Sequence, residues 1–332
     1  MEEKIGGARF GYMVPQNSES MRRKYSYSAF GIQFESDIAL PELHTCASGS
    51  ADVEILYGNV PNEINLPHEK DRYYQIAENE FLFRVEGVAS YYVTNGQQVV
   101  IQLFNQDLRE VRLYLLGTVM GVLLMQRGIL PIHGSAVAIE GRCIMISGIS
   151  GAGKSTMAAA LCKNGHSLLA DDISAVKFDK NGLPWVQSGY PQQKLWQDSA
   201  SMLGIDINPI QRLFDNMDKY AISISAGFCG HSMLLNTIYE IDVQPGKNIA
   251  IIPVTGVEKV ATIMNHTYRS GLLEGLGLKL AHFKMCTTMA KHIPVFRLTR
   301  PESVSSLDRQ VDAVERHLEE MFGISEKLIH SI

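Results

Sequence analysis

Closely spaced cysteines are missing from the 332-residue chain: Cys46, Cys143, Cys162, Cys229 and Cys286 are scattered, with no C-x-x-C pair. An odd, dispersed set builds neither a disulfide framework nor a thiolate zinc site, so reduced thiols and no structural zinc are expected. Basic runs are missing as well. With 30 Lys and Arg against 35 Asp and Glu the net charge is −5, which argues against a broad basic face for nucleic acid. Long apolar runs are also absent. The most apolar window, 113–125, lies between Arg112 and Arg127, short of the roughly 18 to 20 residues that span a bilayer. The first residues show no basic stretch followed by an apolar core, so no secretory signal is expected. These absences together predict a cytoplasmic protein that works without nucleic acid and without a membrane. Internal repeats and low-complexity tracts are not found.

What is present is ordinary globular material, 45% hydrophobic and 20% charged. A chain of this length divides into two units at about 150 residues each. Residues 1–25 are polar, contain Gly and Pro, and have no period; a loosely ordered N-terminus is expected there. Residues 26–105 form short runs rich in β-branched and aromatic residues, such as YSAFGIQF, ADVEILYG and QQVVIQLF. They predict a mainly antiparallel β lobe, with Asn95-Gly96 as a hairpin turn. Residues 106–128 then read as a connecting helix opened by the D-x-x-E box of Asp107 and Glu110. Gly117 and Gly121, four apart, leave one helix face open to close approach by another element. From 129 to 325 strands and helices alternate, which predicts an α/β core around a phosphate loop, carrying β insertions.

That loop is explicit. Gly148-Ile-Ser-Gly-Ala-Gly-Lys154-Ser155 satisfies G-x-x-x-x-G-K-[ST], between the apolar run 143–147 and a helix beginning at Thr156. Glycines at 148, 151 and 153 allow successive backbone N–H groups to turn inward around a phosphate, and the helix adds its positive N-terminal end. The expected nucleotide-binding set is Gly148, Ser150, Gly151, Ala152, Gly153, Lys154, Ser155 and Thr156. Lys154 reaches β- and γ-phosphate oxygens, and the Ser155 hydroxyl can ligate Mg²⁺. The motif alone does not decide between hydrolysis, transfer and sensing. HSLLADD supplies a strand ending in Asp171 and Asp172, 17 and 18 residues after Lys154. Two adjacent carboxylates beside one cation invite a division of labour, one on the metal and one on an attacking hydroxyl. His133, just upstream, is a polar core residue or a functional one on spacing alone.

The run 132–176, IHGSAVAIEGRCIMISGISGAGKSTMAAALCKNGHSLLADDISAV, closely resembles the HPr kinase/phosphorylase family. The shared parts are a His-Gly, a strand pair, the phosphate loop, a short helix ending in Gly-His, and a strand ending Ala-Asp-Asp. The resemblance implies an HPr-kinase C-terminal-domain-like fold and an ATP-dependent kinase. It implies that Asp171 is the general base toward a substrate serine, that His133 lies beside it, and that Ser155 and Asp172 serve Mg²⁺. The family's Arg-Gly-Leu-Gly element is replaced here by SGYPQQKLWQDSA, 188–200. With VFRLTRP and the LPEL of the N-terminal lobe, this segment is similar to the HPr-kinase-like proteins of lasso-peptide biosynthesis. Those phosphorylate a C-terminal serine of a ribosomally made precursor peptide, so a peptide with an acceptor serine is the expected partner.

Four further residues are candidates for substrate contact. Lys194 and Trp196 fall in an expected loop, where they reach phosphate or stack on base or peptide. Arg297 and Arg300 flank a strand end, where their guanidinium groups suit a phosphate or a peptide carboxylate. The two other functions considered are an HPr-type kinase of carbon regulation and a nucleotide switch or ATPase without an acceptor. Assembly into a homo-oligomer is compatible with the chain.

Overall fold

The computed structural model describes residues 24–214, 217–224, 226–246, 248–302 and 306–323. The expected loosely ordered stretch therefore lies almost wholly outside the described residues. The N-terminal lobe is a sheet of β1 (Tyr25–Ala29), β2 (Ile32–Ser36), β3 (His44–Thr45), β4 (Val53–Tyr57), β5 (Glu69–Lys70), β6 (Tyr74–Ala77), β7 (Glu80–Val85), β8 (Ala89–Thr94) and β9 (Gln98–Leu103). Their order is β3-β1-β2-β4-β9-β8-β7-β6-β5. The sheet is mainly antiparallel, as expected, and mixed only at its centre, where β4 runs parallel to both β2 and β9. Between β8 and β9, Asn95 and Gly96 both have positive φ (54° and 62°), the mirror-image turn that matches strand twist.

Asp107 caps α1 (Leu108–Tyr114), its carboxylate accepting the Arg109 N–H at 2.9 Å. One π-helical stretch, Leu115–Val119, links it to α2 (Met120–Gln126). Residues 115–125 are all buried, and this helix packs under the first sheet in one hydrophobic cluster. The open face at Gly117 and Gly121 is taken by Tyr268: a Cβ at Gly121 would stand 2.8 Å from the Tyr268 ring, and one at Gly117 would meet its hydroxyl at 3.4 Å.

The second unit begins with β10 (Leu130–Ile139), β11 (Arg142–Gly148), α3 (Lys154–Lys163), β12 (Ser167–Ala170), β13 (Ile173–Phe178) and β14 (Pro184–Val186). It continues with β15 (Gln192–Trp196), α4 (Gln197–Leu203), β16 (Arg212–Phe214), β17 (Met217–Ser223), β18 (Met233–Val243) and β19 (Ala250–Val254). Helices α5 (Gly256–Asn265) and α6 (Lys279–His292), strand β20 (Val295–Arg300) and α7 (Leu307–Phe322) complete it. The main sheet runs β11-β10-β13-β14-β18-β20-β19, with β12 against β10 and a further β11–β18 pairing. β18 is parallel to β11 and β20, and the other pairings are antiparallel, so this sheet too is mixed. A small sheet, β15-β17-β16, stands apart.

Alanines and Leu161 of α3 disappear into a cluster shared with Val311, Val314 and Leu318 of α7, an i, i+3, i+7 stripe. Burying each such leucine contributes about 2 kcal/mol, which anchors the helix that follows the glycine loop. Helix α6 had no sequence expectation: its apolar and polar residues (KLAHFKMCTTMAKH) form no clean stripe. Among the described residues, no helix is long and apolar enough to cross a membrane.

Candidate active site

β11 is buried along nearly its whole length and ends at Gly148, where the chain leaves the sheet with φ +143°. A Cβ there would stand 2.8 Å from the Ile241 carbonyl oxygen, so only glycine lets the loop start so near β18. Gly151 and Gly153 also have positive φ (82° and 100°), and Gly153 leads directly into α3. The Lys154 ammonium donates to the carbonyls of Gly148 and Ile149, both at 3.0 Å. Burial pulls its pKa below the ordinary lysine value. Arg300, at the end of β20, grips the same loop from outside: its Nε and Nη2 donate to the Ala152 carbonyl at 3.1 and 2.9 Å. Gln193 donates to the Ser155 carbonyl at 3.1 Å, and the Thr156 and Ser199 hydroxyls share a bond of 2.8 Å.

The double aspartate follows β12. Asp172 has φ +66°, an uncommon conformation for a residue with a Cβ, and the Ile173 N–H folds back onto the Asp171 carbonyl at 2.8 Å. This tight turn sends the two carboxylates to different places. Asp171 points inward, accepting from the Ser135 hydroxyl at 2.6 Å and the Lys194 N–H at 2.8 Å, with the Ser155 hydroxyl as a further partner. Burial pushes its pKa above the usual carboxylate value, and these donors hold it back only in part. Asp172 turns toward the cavity. The Lys194 ammonium lies 2.7 Å from its Oδ2, and His133 Nδ1 lies 3.6 Å from its Oδ1 and 3.2 Å from its backbone carbonyl. Burial opposes ionisation of Asp172, yet the Lys194 charge prevails and keeps the carboxyl well below the ordinary range.

His133 therefore stands beside Asp172, which corrects the expectation that it attends Asp171. Its pKa falls to about 4, first through burial and then through the nearby Lys154 charge. Both groups facing Nδ1 are acceptors, so the neutral ring carries its proton there. The Gly in the His-Gly pair has its own reason: a Cβ at Gly134 would come within 2.6 Å of the Ile146 carbonyl oxygen. Tyr268 packs its ring 5.7 Å from that of His133, and the Tyr268 N–H donates to the Pro131 carbonyl at 2.8 Å.

One cavity of about 320 Å³ gathers Ser150, Gly151, Gly153, Lys154, Ser155, Thr156, His133, Asp172, Lys194, Trp196 and Arg300. Gly148 and the buried Ala152 shape the loop without lining the cavity, and Asp171 lies behind its wall. Two expectations are corrected. Lys194 and Trp196 sit on strand β15 and not in a loop, because β17 pairs with it from Gln192 to Trp196. Arg297 does not reach the cavity: its guanidinium is held by Glu240 at 2.9 Å and Glu258 at 3.0 Å. Arg300 does line the cavity, but its side chain is spent on the Ala152 and Pro301 carbonyls. The sequence reasoning missed Ser135, Ser199, Met202, Met217, Lys219, Leu307 and Gln310. Ser135, directly after His-Gly, was the one with a local signal.

Residues 129–216 match the model of the HPr serine kinase C-terminal domain. A curated HPr kinase/phosphorylase of Treponema pallidum is 28% identical over 189 residues, covering 51% of this chain and 57% of the relative. The HPr kinase/phosphorylase of Nitrosomonas europaea is 26% identical over 161 residues, covering 44% and 48%. The chain thus spans about half the length of these relatives. Among solved structures, the HPr(Ser) kinase/phosphatase of Coxiella burnetii aligns with a TM-score of 0.32 and 13% identity, over 57% of this chain and 97% of that one. Over residues 129–216, then, the chain is similar to the HPr serine kinase C-terminal domain, and over a longer stretch it resembles the HPr kinase/phosphorylases.

Proposed function

We propose that the chain is an ATP-dependent serine kinase in which the 129–325 unit transfers the γ-phosphoryl group to a peptide hydroxyl. The observation that carries this reading is the presence, in one cavity, of the 148–155 glycine loop and an ionised carboxylate, Asp172, flanked by His133 and Lys194. Loop N–H groups and the start of α3 favour the phosphates, and Lys154 neutralises charge as it moves onto the transferred group. Asp172 faces the space an acceptor would enter, so it orients the serine hydroxyl and takes its proton. This exchanges the parts first expected of the two aspartates, since Asp171 has no face on the cavity. Its role is to hold the Ser155 hydroxyl in place.

Oxygen donors suit Mg²⁺, and the Ser155 hydroxyl, seated by the Asp171 carboxylate, would hold such an ion. When bound with ATP it offsets negative charge on the β- and γ-phosphates. Catalysis of this kind rests on positioning and electrostatics.

The acceptor we propose is the C-terminal serine of a ribosomally made, lasso-type precursor peptide. In support, SGYPQQKLWQDSA stands where HPr kinases carry Arg-Gly-Leu-Gly, and its QQKLW becomes β15 on the cavity wall. The names of the curated relatives favour a second acceptor, HPr itself. Scattered free cysteines fit a cytoplasmic setting. Incubation with ATP, Mg²⁺ and either a serine-terminated peptide or HPr, followed by mass spectrometry, separates the acceptors. ADP release without any labelled acceptor would favour a nucleotide switch or ATPase.

A further inference from the structure

The cations around the nucleotide cavity differ in what already holds them. Lys154 donates to the carbonyls of Gly148 and Ile149, Arg300 to those of Ala152 and Pro301, and Lys194 to the Asp172 carboxylate. Lys219 lines the same cavity and makes no hydrogen bond or ion pair among the described residues. The acid beside it in the chain, Asp218, is taken by Arg212 at 2.7 Å. The Lys219 ammonium lies instead 5.8 Å from the centre of the Trp196 ring. Trp196 and Lys219 stand opposite each other in the β15–β17 pair, and opposed residues project from the same face of a sheet. The small sheet thus turns Lys194, Trp196, Met217 and Lys219 toward the cavity, while Leu195, Tyr220 and Ile222 pack into the core behind it. The Lys219 charge lowers the pKa of His133, Lys154 and Asp172 alike, so it acts on the space between the glycine loop and the double aspartate. Trp196 is nearly half exposed, and such a ring holds an ammonium far less firmly than phosphate oxygens do.

Resting on the kinase reading above, we propose that Lys219 is a catalytic residue that clamps the γ-phosphoryl group from the small-sheet side, across from Lys154, and that Trp196 holds its ammonium until a triphosphate binds. In the transfer, the serine oxygen bonds to the γ-phosphorus as the bond from that phosphorus to the β–γ bridging oxygen breaks. ADP leaves with that electron pair, and the serine proton passes to Asp172. Charge on the three oxygens of the moving group then meets a cation on each side. ADP lacks those oxygens, so with ADP bound Lys219 stays on the Trp196 ring.

The chain has two tryptophans, and Trp185, on β14, does not line the cavity. Trp185→Phe in the full-length protein therefore leaves Trp196 as a single fluorescent reporter. With Mg²⁺ present, a non-hydrolysable ATP analogue should change the Trp196 emission, and ADP should not. The analogue should also bind tighter than ADP by about tenfold or more. Lys219→Gln should erase both differences with ADP affinity unchanged, and should lower transfer to a serine peptide by about 100-fold. Lys219→Arg keeps the charge and should retain most of the preference for the triphosphate. Neither substitution removes a hydrogen bond among the described residues, so both variants should unfold at the wild-type temperature. Equal loss of ADP and analogue affinity in Lys219→Gln, or wild-type affinity and turnover in it, overturns the clamp and leaves the kinase standing. The same emission change with ADP as with the analogue also overturns it. A triphosphate preference that Lys219→Gln erases, where the wild type transfers to no acceptor, supports the clamp and defeats the kinase.

Discussion

Lys194 holds both carboxylates of the double aspartate: its ammonium lies 2.7 Å from Asp172 Oδ2, and its backbone N–H donates to Asp171 Oδ2 at 2.8 Å. A single position on β15 thereby fixes the charge state of one carboxylate and the orientation of the other. The pair with Asp172 is mostly buried, with side-chain exposures of 10% and 18%. Its value lies in the cost of losing one partner and not in the Coulomb attraction alone.

Replacing Lys194 by Met leaves Asp172 buried without its cation. The expected cost is about 3 kcal/mol of stability at neutral pH, together with loss of most activity. The sign with pH follows from the depressed carboxyl of Asp172. In the wild type its contribution is present above the unfolded carboxylate pKa of about 3.9 and is lost only as pH falls through the lower folded value. In Lys194→Met the carboxyl protonates at higher pH, which relieves the burial penalty. Urea unfolding should therefore show a smaller deficit at pH 4 than at pH 7, and an equal deficit would refute the assignment.

The two aspartates should separate under conservative substitution. Asp172→Asn keeps the shape of the cavity and loses its ionised acceptor, so ATP analogues bind while transfer falls by about 100-fold or more. Asp171→Asn disturbs the seat of Ser155 and should chiefly weaken nucleotide and Mg²⁺ affinity. Titration of a fluorescent ATP analogue with and without Mg²⁺, set beside turnover, tells the two apart. Reversed phenotypes would return the general-base role to Asp171.

His133 should titrate near pH 4 in the nucleotide-free protein, far below an ordinary histidine. Between that value and about 6.5 the unfolded chain binds the proton that the folded ring does not. Stability attributable to His133 thus rises with pH across this window and is complete above it. Proton NMR of the imidazole signals, assigned by His133→Gln, measures the midpoint directly. A midpoint near 6.5 would mean that the ring is not desolvated as described.

Gly134→Ala places a methyl group against the Ile146 carbonyl, 2.6 Å from the added carbon. Backbone cannot yield as a side-chain tip does, so a destabilisation of about 2 kcal/mol or more is expected. Thermal unfolding checks it; a change near zero would show that β10 and β11 can part at this point without cost.

Features set by neighbours in the chain were legible before the structure. The strand–glycine loop–helix run at 143–163 and the Asn95-Gly96 turn depend on local backbone conformation, and Asp107 needs only the first turn of its own helix. Gly117 and Gly121 announced a close contact, yet nothing local named Tyr268, almost 150 positions away, as the group that fills it. Arg297 looked available because its partners, Glu240 and Glu258, come from β18 and α5. Lys194 looked like a loop residue because the strand that pairs with it carries no strong signal of its own. The direction of the two aspartates was equally hidden, since it turns on the positive φ of Asp172.

The most direct measurement is phosphoryl transfer itself. Wild-type protein and Asp172→Asn are incubated with γ-labelled ATP, Mg²⁺ and serine-terminated peptides, with intact HPr as a parallel acceptor. Label should appear on the serine hydroxyl with the wild type and almost vanish with Asp172→Asn, although both bind the nucleotide. Release of labelled inorganic phosphate with no label on any acceptor, or equal transfer by the two proteins, would contradict a kinase built around Asp172.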